Sequence, residues 1–292
     1  MAIARSNDIE IAYETFGQAD NRPLLLIMGL SYQMIRWPDE FCRLLADRGH
    51  LVIRFDNRDA GLSTHFDSAG APNIIKLYKK IFAGEKPRVP YLLRDMAADT
   101  VGLLDALGIP AAHLAGVSMG GMIGQTVAIE YPERILSLVS IMSSTGRGSL
   151  PGPRDDVMAH TMKPIPRERE AAIEHLVETE RLVAGDVYPA DEERARDEAI
   201  QSIERYHDPL GIARQLAAIV ASGSRVKALG SVQTRTLVIH GDQDPLLPIE
   251  CGKDTAACIP GARFLQMDGM GHYLPRELWP RLVDAISQHT AG

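Results

Sequence analysis

Short apolar runs alternate with helical stretches along most of the chain. Ile9, Ile11 and Tyr13 alternate with polar or small residues, the period of a half-buried strand, and Gly17 ends it. Pro23–Met28 is a continuous apolar run, the pattern of a strand covered on both faces. Leu51–Phe55, Ala112–Val117, Ile135–Met142, Thr236–His240 and Arg263–Met267 repeat that pattern. Helices fill the gaps. Pro38, Asp39 and Glu40 begin one, with Phe41, Leu44 and Leu45 as its apolar face and Gly49 as its stop. Met96, Ala97, Thr100, Leu103, Leu104 and Leu107 share a face of a second, which Gly108 follows. A third runs from Ser118 to Glu130 and halts before Pro132. Two more are expected around Glu250–Cys258 and Glu277–His289.

This alternation predicts an α/β fold: a mostly parallel central sheet flanked by helices. One region breaks the rhythm. From Arg147 to Leu229 no strand-like run occurs, and Gly148, Pro151, Gly152 and Pro153 open the segment as a linker. Asp191 then reads as an N-cap. Ala195, Ala199, Ile203 and Tyr206 form one apolar stripe, and Ile212, Leu216, Ile219 and Val220 form another. The expected organisation is a core in two parts, 1–146 and 230–292, with an inserted helical cap over 147–229.

Composition narrows the function classes. The 292 residues are 45% hydrophobic and 24% charged, an ordinary soluble balance. The net charge of -7 repels phosphate backbones and anionic lipid, so neither nucleic acid nor a membrane is expected as a partner. No apolar run approaches a bilayer span, and the start of the chain carries no secretory pattern, so a cytoplasmic location is expected. Three cysteines, Cys42, Cys251 and Cys258, are too few and too odd for a disulfide framework and read as small packing residues. No metal-ligand cluster, phosphate-binding glycine loop or dinucleotide fingerprint is present, so no metal or cofactor is expected.

The chemistry lies in a few loops. Gly116-Val117-Ser118-Met119-Gly120 sits where an apolar run ends and a helix begins. That strand-turn-helix setting is what a nucleophile elbow requires, with Gly116 and Gly120 allowing a tight turn and Ser118 projecting above the sheet edge. A serine hydroxyl needs a base. Of nine histidines, His272 follows the last strand and so reaches the same edge; His240, at another strand end, is its rival. The base needs a carboxylate partner, and the loop after Thr236–His240 offers Asp242 and Asp244. Asp244 lies deeper, with Pro245 stiffening the turn, while Asp242 is suited to hydrogen-bonding backbone. An oxyanion hole needs two backbone N–H groups, expected from Met119 and from Leu30 after Gly29, which permits close approach. Asp56-Asn57-Arg58-Asp59 is expected to shape the floor of the site, with Arg58 paired to Asp59. Met28, Met119, Met142 and Met270 near strand ends hint at a pocket for an apolar group.

With these residues placed, the chain resembles the α/β-hydrolase superfamily over nearly its whole length. The resemblance is carried by Leu25–Leu30, Phe55–Ser63, Gly116–Gly121, His240–Pro245 and Gly269–His272. Trp37–Phe41 and Gly269–Pro275 are similar to the capped bacterial esterases that include aclacinomycin methylesterase. The resemblance strengthens Asp244 over Asp242. It implies cofactor-free ester hydrolysis through an acyl-serine; the substrate does not carry over with it, and the methionines are what point to a small to medium, apolar ester. It departs at Met28, where many relatives carry His, a change that a backbone oxyanion donor tolerates. The same triad also serves perhydrolysis of the haloperoxidase type, lactone or thioester cleavage, and carbon–carbon hydrolysis. A ligand-sensing protein on this fold would need none of the three catalytic roles together.

Overall fold

A computed structural model describes residues 1–291. It begins with a hairpin of β1 (Ala2–Ser6) and β2 (Ile9–Phe16), paired antiparallel. The turn residues Asn7 and Asp8 both have positive φ, 48° and 63°, as a tight hairpin requires and as Asn and Asp tolerate. β1 is absent from the sequence expectation because its short, largely exposed run lacks an apolar period.

The remaining strands are β3 (Arg22–Ile27), β4 (His50–Phe55), β5 (Ala112–Val117), β6 (Ile135–Ile141), β7 (Thr236–Gly241) and β8 (Arg263–Met267). Each expected strand lies within one residue of its predicted bounds. The sheet has eight strands in the order β1-β2-β4-β3-β5-β6-β7-β8. From β4 to β8 every pairing is parallel. The continuous apolar runs divide between two layers because successive side chains point to opposite faces. Leu25 and Ile27 pack in one layer, with Ile53, Leu114 and residues of α3 (Leu93–Ala106) and α4 (Met119–Glu130). Leu24 and Leu26 pack in the other, with Val52, Ala115 and residues of α1 (Asp39–Ala46) and of the last helix, Trp279–Thr290. On α1 the buried face is Phe41, Cys42 and Leu45, while Leu44 is exposed. A helix without a counterpart in the sequence reading, α2 (Ile74–Phe82), packs through Leu77 and is capped by Asn73.

Five helices lie between β6 and β7: α5 (Asp155–Thr161), α6 (Arg169–Val183), α7 (Glu192–Arg205), α8 (Pro209–Ser222) and α9 (Val226–Leu229). Asp191 caps α7, its side chain accepting from Arg194 N–H at 3.1 Å. The expected stripes need correction. Ala195 and Ala199 are buried, but Tyr206 lies beyond the end of α7 and is exposed. On α8, Ile212, Leu216, Ile219 and Val220 are only half-buried, whereas the polar Arg214 and Gln215 are fully buried. The entry and exit of this helical insertion meet. Arg225 N–H donates to Thr145 O at 2.8 Å, and a Cβ on Gly146 would lie 2.7 Å from Gly223 O. The buried Arg225 guanidinium closes the junction, donating to Ser144 O at 2.7 Å and to Gln125 Oε1 of α4 at 3.0 Å. No helix among the described residues is long and apolar enough to cross a membrane.

Parallel strands deliver their carboxyl ends to one edge. The chain runs from β3 outward to β4, then returns across to β5, so the crevice between β3 and β5 is the switch point of the sheet. Ser118 follows β5 directly, and Gly29-Leu30 follow β3.

Candidate active site

Ser118 joins β5 to α4 with φ 52° and ψ -118°, a backbone state that L-residues rarely adopt. Two anchors hold it. Its N–H donates to Ile141 O of β6 at 2.9 Å, and its carbonyl accepts from Ser143 Oγ at 2.8 Å. The flanking glycines are steric requirements. A Cβ on Gly116 would lie 2.2 Å from Gly120 O, and one on Gly120 would lie 2.1 Å from Ile27 O. Both contacts would be with backbone, which cannot rotate away. Gly120 thereby lets α4 start against the end of β3.

That approach brings the β3 loop to the serine: a Cβ on Gly29 would sit 3.2 Å from Ser118 Cβ. The Leu30 and Met119 N–H groups make no hydrogen bond among the described residues. Met119 is the first residue of α4, where a helix leaves its N–H groups without intrahelical acceptors. The expected donors therefore stand on the two sides of the crevice that holds Ser118.

His272 and Asp244 meet from different loops, with His272 Nδ1 2.7 Å from Asp244 Oδ2. The other carboxylate oxygen, Oδ1, accepts from Leu246 N–H at 2.9 Å and Leu247 N–H at 2.8 Å, which fixes its rotamer. Burial would raise the Asp244 carboxyl, but the adjacent His272 and His240 hold it down to about 2. An ionised Asp244 leaves Nδ1 as the protonated nitrogen of a neutral ring and Nε2 as its lone pair. Among the described residues neither Nε2 nor Ser118 Oγ makes a hydrogen bond to the protein; the bonded atoms of the two residues are His272 Nδ1 and the Ser118 carbonyl. His272 N–H donates to Val183 O of the insertion at 2.7 Å.

The rivals have other occupations. His240 is fully buried, with Nε2 2.7 Å from Leu247 O and 3.4 Å from Asp244 Oδ2. Asp242 Oδ1 accepts from Gly269 N–H at 2.6 Å and so ties the β7 loop to the one bearing His272. Between them, Gln243 Oε1 accepts from Asp186 N–H at 2.7 Å, binding the insertion to the same turn.

The Asp56–Asp59 turn corrects an expectation. Arg58 does not pair with Asp59; it forks onto Asp99 of α3, with both contacts at 2.6 Å. Asp59 instead receives Arg214 of α8, Nε at 2.9 Å and Nη2 at 2.8 Å, together with the Tyr91 hydroxyl at 2.6 Å. Arg58 and Asp59 are adjacent in sequence, but their side chains leave the turn towards different elements, α3 and α8. Asp56 accepts from Met34 N–H at 2.7 Å and pairs with Arg205 of α7 at 2.6 Å. Asn57 Nδ2 donates to Met28 O at 3.0 Å. The turn thus braces the β3 loop and seats the insertion. Asp59, His65 and Asp208 present potential metal-ligand atoms within 4.8 Å of one another. The Arg214 guanidinium already contacts both carboxylates and supplies the positive charge there.

The model of the alpha/beta hydrolase fold family matches residues 22–275. Rhodomycin D methylesterase DauP of Streptomyces sp. (strain C5) is 30% identical over 97% of this chain and 96% of its own length. Rhodomycin D methylesterase DnrP of Streptomyces peucetius is 32% identical, over 98% and 96%. Among solved structures, the enol-lactonase from Burkholderia xenovorans LB400 superposes with a TM-score of 0.75 at 19% identity, covering 100% of both chains. That last similarity is one of fold.

Proposed function

This chain belongs to the α/β-hydrolase family, and we propose that it hydrolyses carboxylic esters with Ser118 as nucleophile, His272 as base and Asp244 as the acid that orients the base. The observation that carries this reading is the strained Ser118 at the head of α4, in a fold whose His272–Asp244 pair is made at 2.7 Å. Residues 147–229 act as a cap over the carboxyl edge of the sheet.

In this mechanism Ser118 Oγ attacks the ester carbonyl while His272 Nε2 takes its proton. The Leu30 and Met119 N–H groups stabilise the oxyanion. His272 then gives the proton to the departing alcohol, leaving an acyl-serine. Water attacks the acyl carbon, returns a proton to His272 and releases the carboxylic acid. Asp244, ionised throughout, stabilises the imidazolium formed in each half.

The methylesterase relatives favour a methyl ester as substrate, with methanol as the leaving alcohol. Incubation with a panel of methyl carboxylates and short p-nitrophenyl esters tests this. Wild type should release methanol or nitrophenol, and Ser118→Ala should lose activity by at least about a thousandfold. Retained turnover in Ser118→Ala would remove the assignment.

A further inference from the structure

We infer that Glu180, on α6, is a positioning residue that sets the oxyanion loop and the base together; the inference rests on the triad reading above. Glu180 is buried at 6% exposure in the interface between cap and core. Its Oε1 accepts from the Tyr32 hydroxyl at 2.6 Å and from Arg36, which also pairs with Glu198 of α7. Tyr32 and Arg36 belong to the segment that begins at Leu30, the loop carrying one oxyanion donor.

One helical turn after Glu180 comes Val183, whose carbonyl accepts from His272 N–H at 2.7 Å. The same stretch of α6 therefore grips the oxyanion loop by a side chain and the base loop by a main-chain oxygen. Other anchors of the oxyanion loop hold it elsewhere: Gln215 Oε1 accepts from Ser31 N–H at 3.0 Å, Asp56 Oδ1 takes Met34 N–H, Asn57 donates to Met28 O, and Gln33 Nε2 donates to Ser202 O and Tyr206 O. Glu180 alone among them stands on the helix that also holds His272.

Stability gives a poor reason for this cluster. A buried ion pair roughly breaks even against apolar packing of the same volume. What it supplies is direction. Burial, reinforced by the Glu180 charge, pushes the Tyr32 phenol well above its usual range, so the hydroxyl stays a donor at working pH. A cavity of about 30 Å³ beside Ser31, Tyr32, Arg36 and Glu180 leaves room for about one water. Polar contacts therefore do much of the holding on this side of the loop.

The test uses p-nitrophenyl acetate turnover and the second-order rate of labelling by a fluorophosphonate, whose phosphoryl oxygen occupies the oxyanion site. Tyr32→Phe and Glu180→Ala should each lower kcat about tenfold, leave KM within about twofold and slow labelling in parallel. Glu180→Gln can still accept from Tyr32 and should recover most of the loss. Wild-type kcat in Tyr32→Phe, a loss confined to KM, or a Glu180→Gln variant as slow as Glu180→Ala would each overturn the inference. Tyr32→Phe removes a single oxygen, so it decides the matter even if Glu180→Ala fails to fold. Ser118→Ala separates the two readings. If it keeps turnover and labelling, the triad falls and this inference with it. If it loses both while the Tyr32 and Glu180 variants match wild type, only the positioning role falls.

Discussion

At the scale of single residues, the site stores strain at one point and restrains it at several. A non-glycine residue in the conformation of Ser118 costs about 1–3 kcal/mol. Its N–H and carbonyl are held by β6 and Ser143, and the Gly121 and Met122 N–H groups of α4 donate to the same carbonyl. The glycines that permit this were legible from their spacing, because only the missing Cβ admits the backbone of β3. Asp244 over Asp242 was legible only in part. Both precede a turn, and the choice depends on which carboxylate faces His272 once two loops have met. Asp244 also makes a prediction. Its carboxyl lies near 2 in the fold, below its unfolded value of about 3.9, so its ionised form contributes stability above that value. That contribution should fade as pH falls from about 4 towards 2. The stability gap between wild type and Asp244→Asn, measured by urea unfolding, should narrow by roughly 2 kcal/mol over that interval. A gap independent of pH would show that the carboxyl is not depressed.

At the scale of elements, the helical insertion is attached to the core by charge more than by apolar stripes. This explains why hydrophobic periodicity found α8 but chose the wrong face. Ile212, Leu216, Ile219 and Val220 have the helical period, yet α8 turns Arg214 and Gln215 inward. Arg214 is 0% exposed because Asp59 and Asp208 neutralise it, at 2.8 Å and 2.7 Å. Of these partners Asp208 lies six residues away, but Asp59, which takes the fork of the guanidinium, lies 155 residues away and leaves no local trace in a sequence. The hairpin strand β1 escaped for the opposite reason: its signal was the Asn7-Asp8 turn, not any periodicity. Removing one partner of a buried pair strands the other. Arg214→Met should therefore destabilise the protein by about 3–5 kcal/mol in urea unfolding, and adding Asp59→Asn should return part of that loss. Additive losses in the double variant would show that the pair is not coupled.

At the scale of the whole molecule, the parallel sheet was the most legible feature. Doubly covered strands are mostly apolar, so β3, β5 and β7 stand out as nearly continuous runs between helices, while β4 and β6 admit a few polar residues such as Arg54, Ser137 and Ser140. The opposite edge of this sheet, away from the crevice, carries a second chemistry. His113 of β5 lies 2.8 Å from Ser137 Oγ, and burial, aided by the charges of His50, Arg22, Arg235 and His289, pulls its imidazole down to about 4. His50 and His289 are lowered as well, chiefly by burial. A folded value below the unfolded one means that folding favours the neutral ring. The resulting stability is complete above about pH 6.5 and is lost as pH falls towards 4. His113→Gln should flatten the acid side of the Tm–pH curve, with His50 and His289 keeping a residual slope; an unchanged curve would contradict this. The meeting of Thr145 with Arg225, and of Gly146 with Gly223, has a wider consequence. The whole helical insertion leaves and re-enters the scaffold through one doorway. A different helical insertion can be spliced in there as a cassette without lengthening any joint in the open sheet and helices beneath. A lineage can thus exchange its insertion while the β5–α4 turn that carries Ser118 keeps the same foundation.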